Sequence, residues 1–100
     1  MERSEDGRYI VVDGRKWRAT DPSVPEETAA QLRRHLMAAR RAVRDALRQE
    51  DTAAERRARD RVQLAKTALG ERGTAWWDQS AAERRKRWED GLHRLQETAE

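Results

Sequence analysis

The chain has 100 residues, 41% of them charged, yet nineteen acids nearly cancel twenty-two bases and leave a net charge of +3. That length fits one small domain near the lower limit for burying a core, and so small a charge excess makes a polyanion partner only a mild expectation despite a pI near 9.9. Without cysteine there is no disulfide or thiolate chemistry, and no apolar run nears the roughly 18 residues of a membrane span, so a soluble, cytoplasmic chain without membrane contact is expected.

Large aliphatic residues are limited to Ile10, five valines and seven leucines, and Phe is absent. The core must therefore be lean and set by periodicity. Residues 1 to 7 are polar and read as a frayed terminus. Asp13-Gly14, between the β-prone runs of a hairpin over 8–20, suits a type I′ turn, which needs positive φ at both central residues. A two-residue loop pairs Val12 with Arg15, Val11 with Lys16, Ile10 with Trp17 and Tyr9 with Arg18. Alternation then puts Val12, Ile10 and Trp17 on the face expected to pack on helices.

A first helix is expected over 24–49, opened by Ser23 and Glu26 at capping-box spacing. Its seam is Ala29, Leu32, Leu36, Ala39, Val43 and Ala46, with Leu47 beside it, at the alternating spacings of three and four that an antiparallel partner requires. Thr52 and Glu55 form a second box, which favours a tight turn near 49–52; one continuous helix is the alternative that the sequence leaves open. The second helix, 52–69, carries Ala58, Val62, Ala65 and Leu69, and Gly70 stands at its C′ position. A loop over 70–79 holds Trp76 and Trp77, and Ser80 with Glu83 opens a helix over 80–98 with the stripe Ala81, Trp88, Leu92 and Leu95. The resulting class is mainly α: one domain over 1–100, with an N-terminal β-hairpin packed on an antiparallel helical hairpin and a third C-terminal helix.

Adjacent tryptophans in a loop are costly unless they fill space. At least one of Trp76 and Trp77 is expected to plug the lean core against Trp17 or Trp88, burying about 150–250 Å². The other is left as a candidate contact for a partner.

No catalytic centre assembles from these residues. His35 and His93 lack a second ligand at metal spacing, Ser23 and Ser80 are accounted for as caps, and the glycines form no phosphate loop, so no enzyme activity, metal, cofactor or small-molecule substrate is expected. Arg34, Arg41 and Arg48 recur every seven residues, away from the apolar seam. Such a stripe reads first as a solvated helix face and second as a track for phosphates or an acidic protein surface. "RRKR" at 84–87 reads as a solvated collar, because successive helical residues turn by about 100° and acids lie one turn away: Glu83 with Arg87, Arg85 with Glu89, Lys86 with Asp90.

The blocks "VVDGRKWRATDPSVPEE", "LMAARRAVR" and "AKTALGERGTAWW" resemble a family of short, uncharacterised proteins from GC-rich bacteria that carry the loose label "biopolymer transporter Tol". The resemblance covers roughly residues 9–77 and implies no activity, ligand or catalytic residue. The expectation from the residues is a non-enzymatic interaction role through a protein partner or a second copy, the latter by way of the alanine and leucine seam. Nucleic-acid binding by Arg34, Arg41 and Arg48 is the alternative.

Overall fold

A computed structural model describes residues 2–98. Three strands form an antiparallel sheet in chain order: β1 (Glu2–Arg3), β2 (Tyr9–Val12) and β3 (Arg15–Arg18). The β2–β3 register is the expected one, from Tyr9 opposite Arg18 to Val12 opposite Arg15, with Asp13 at φ 51° and Gly14 at φ 78° in the turn. β1 corrects the expectation of a frayed terminus. Asp6-Gly7 makes the reversal here, as Asp13-Gly14 does in the hairpin. The Asp6 carboxylate accepts from Ser4 Oγ and the Arg8 amide, and Glu2 and Arg3 lie opposite Val11 and Ile10.

The helices are α1 (Glu26–Arg48), α2 (Thr52–Ala68) and α3 (Ala81–Thr98), and a short 3-10 turn spans Trp76–Asp78. α1 and α2 form the expected helical hairpin, packed through Ala29, Leu32, Leu36, Ala39 and Ala46 on one side and Ala58, Ala65 and Ala68 on the other. Both helices end in the same way. At the first end Glu50 takes φ 55°, with the Asp51 amide donating to Ala46 O and the Glu50 amide to Leu47 O; at the second, Gly70 takes φ 87° and the bonds run to Lys66 O and Thr67 O. Glycine adopts that backbone freely and glutamate does so under strain.

Two of the three capping boxes are corrected. Ser23 does not cap α1, because its amide and hydroxyl donate to Asp21 Oδ1, and α1 begins after Pro25 without a side-chain cap. Asp51 rather than Thr52 caps α2, accepting from the Ala54 amide at 3.0 Å. The Ser80–Glu83 box forms as expected, with both reciprocal bonds present.

The hairpin face is also corrected. No residue of 2–18 is buried, and Trp17 and Val12 remain 43% and 38% exposed. The opposite face carries the aromatic contact with the helical body, where Tyr9 sets its ring against Trp77 at 5.6 Å and 63°, while Trp17 meets α2 through Lys66 Nζ, 6.0 Å from its ring centre. The hydrophobic core lies among the helices instead, built from Leu32, Leu36, Leu69, Trp88 and Leu95 with Val24 and small residues. α3 reaches it because Gly91 admits Ala68: a Cβ on Gly91 would stand 2.5 Å from that of Ala68.

Candidate functional site

The two ends of the α1–α2 hairpin differ in chemistry. Where α3, the Trp76 turn and the strap before α1 converge, Asp21 is fully buried. Its carboxylate receives Arg87 at 2.6 Å, Arg84 at 3.6 Å and the two Ser23 donors. Burial pushes the Asp21 pKa up, but the hydrogen bonds from Arg87 and Ser23, together with the Arg87 charge, outweigh it and hold the group below its ordinary 3.8. Arg87 also donates to Ala68 O and Gln79 Oε1, and Arg84 donates to Trp76 O.

This knot corrects the reading of "RRKR". Arg84 and Arg87, three residues apart on one face of α3, are structural cations turned inward, and of the anticipated pairs only Lys86–Asp90 forms among the described residues. Asp21-Pro22-Ser23 carries a local signal of its own, an Asx turn, which the capping reading of Ser23 obscured.

Trp76 is the plug, 7% exposed, its Nε1 donating to Ala19 O at 3.0 Å. Trp77 is half-buried, edge-on to Trp76 at 5.1 Å, with the Arg8 guanidinium 4.8 Å from its ring centre. The plug thus meets Trp77, and through it Tyr9, rather than Trp17 or Trp88. The two residues open the 3-10 turn, and their rings meet edge to face. Trp76 is enclosed, whereas Trp77 keeps part of its surface exposed.

At the other end the hairpin is open. α3 packs mainly on α2, and Arg94, Gln96 and Thr98 near its end form one wall of a groove of about 1030 Å³. Ala38, Ala42, Ala46, Ala54, Ala58 and Leu64 supply an apolar floor. Four arginines, Arg34, Arg57, Arg61 and Arg94, line it with His35, Asp45 and Asp60. Among the described residues no carboxylate lies within 4.0 Å of any of those four guanidinium groups, and Arg61 Nε is buried without a hydrogen-bond acceptor. Burial, then the charges of Arg61 and Arg34, push the His35 pKa below its usual 6.5 and favour a neutral ring in the wall.

Of the stripe expected on α1, Arg34, Arg41 and Arg48 are all exposed, and only Arg34 reaches the groove. The alanine and leucine seam expected to serve a second copy is filled within the chain by α2. The groove itself escaped sequence reasoning, though a signal for it exists. Gln31, His35, Ala38, Ala42, Asp45 and Gln49 repeat the three-and-four spacing one step beside the seam, so α1 has a second face able to take a neighbour.

No family model, curated protein or solved structure matches the chain. Among the described residues no three His, Asp or Glu side chains gather as a metal site, and no helix is long and apolar enough to cross a membrane.

Proposed function

We propose that this protein is a non-enzymatic interaction module whose open groove takes up a segment of another polypeptide. The observation that carries the reading is an apolar floor shared by two helices, continuous with the core and open among the described residues. Helix faces present satisfied backbones and side-chain grooves, which suit an incoming helix packed as α3 packs on α2. Among the described residues the groove has no nucleophile held by a base: the charges of Arg61 and Arg34 act on His35, and the Thr98 hydroxyl donates to the carbonyls of Arg94 and Leu95.

A nucleic-acid role keeps one supporting feature, the exposure of Arg34, Arg41 and Arg48 on the outer face of α1. A photo-reactive residue at position 42, in the groove, or at position 41, on the stripe, separates the two readings in living cells. Polypeptide adducts from position 42 alone support the groove. Nucleic-acid adducts from position 41, with none to protein from 42, overturn it.

A further inference from the structure

Resting on that reading, we infer that the occupant of the groove is an acidic amphipathic helix, its apolar stripe on the alanine floor and its carboxylates received by Arg34, Arg57, Arg61 and Arg94. Some arginines elsewhere in this molecule find an acid within the chain. Arg59 holds Glu55 at 2.7 Å, and Arg84 and Arg87 share Asp21. In the groove four arginines stand against Asp45 and Asp60, and none of the four is paired with either.

Like charges held together without partners oppose one another, and a buried guanidinium N–H without an acceptor is a further penalty. Arg61 carries both burdens, with its Nε buried and unpartnered and its charge felt at His35 together with that of Arg34. A carboxylate entering the groove would relieve the repulsion, and a guanidinium fork favours that geometry.

The form of the partner follows from the walls. An extended segment would need free backbone groups to pair with, and the facing surfaces of α1 and α2 offer none, whereas a helix brings its own hydrogen bonds. Alanines at 38, 42, 54 and 58 let its axis approach closely, as Gly91 and Ala68 do between α3 and α2. From Gln31 to Gln49 the α1 wall runs about 27 Å, which matches a helix of roughly 18 residues.

Three fluorescein-labelled helical peptides of that length test the inference by fluorescence polarisation. They share one leucine and alanine stripe and differ only in flanking residues: Glu, Gln or Lys. The Glu peptide should bind at least about ten-fold more tightly than the Gln peptide, should weaken by about ten-fold or more in about 0.5 M salt, and the Lys peptide should not bind. The exposed triple variant Arg34→Glu, Arg57→Glu, Arg94→Glu, with its fold checked by circular dichroism, should reverse the preference toward the Lys peptide. Ala42→Arg fills the floor while adding positive charge, so it should weaken the Glu peptide by about ten-fold if the helix docks. Unchanged or tighter binding to Ala42→Arg would show attraction without docking and overturn the inference. Equal binding of all three peptides overturns the acidic partner and leaves the groove reading standing. No binding by any peptide overturns both, and a single-stranded DNA oligomer that displaces the Glu peptide at equal charge would assign the arginines to nucleic acid instead.

Discussion

One end of the helical hairpin is closed by the most expensive chemistry in the molecule, and the other is left open with the cheapest. The closed end buries a carboxylate and a tryptophan and half-buries two arginines, each held by named partners. The open end sets unpaired arginines around alanines. The specific packing is concentrated where three elements meet, and the other end carries little of it.

Removing Asp21 should break the closed end most severely. Asp21→Ala leaves Arg87 enclosed without its carboxylate and is expected to destabilise the fold by about 3–5 kcal/mol in chemical denaturation. Acid should reach the same interaction. The folded pKa lies below 3.8, so the unfolded chain takes the proton first, and the stabilisation is present above that pH and lost as pH falls through the folded value. The stability difference between wild type and Asp21→Asn should therefore shrink as pH drops below 3.8, and a constant difference would refute it.

Gly91→Ala should cost about 1–3 kcal/mol by overpacking against Ala68, and adding Ala68→Gly should restore much of the loss in a double-mutant cycle. Glu50→Gly should act in the opposite sense. Relief of the left-handed backbone at Glu50 is expected to raise stability by about 0.5–1 kcal/mol, read as a higher denaturation midpoint at unchanged slope. Leu47→Gln, close to the turn at the open end and 52% exposed, should change stability by no more than about 0.5 kcal/mol. A loss above 2 kcal/mol at Leu47 would erase the contrast between the two ends.

The errors of the sequence reading follow the same division. The β2–β3 register, the seams of α1 and α2, the Gly70 terminus and the Ser80–Glu83 box were legible because each depends on residues within a turn or two of chain. The hairpin face was misjudged because alternation defines two faces without saying which will meet the body. Tyr9 wins that place because Trp77 stands opposite it, although the opposite face holds more apolar residues.

The amino-acid order alone determined the helical periodicity, the hairpin register and the stripe of Arg34, Arg41 and Arg48, since periodicity and turn chemistry act locally, while the break between α1 and α2 stayed open. Only tertiary structure decided that Asp21 would hold Arg84 and Arg87 and that Trp76 would seal Ala19. Those partners lie more than fifty residues apart, and no local signal distinguishes an arginine that finds its carboxylate from one still waiting in a groove.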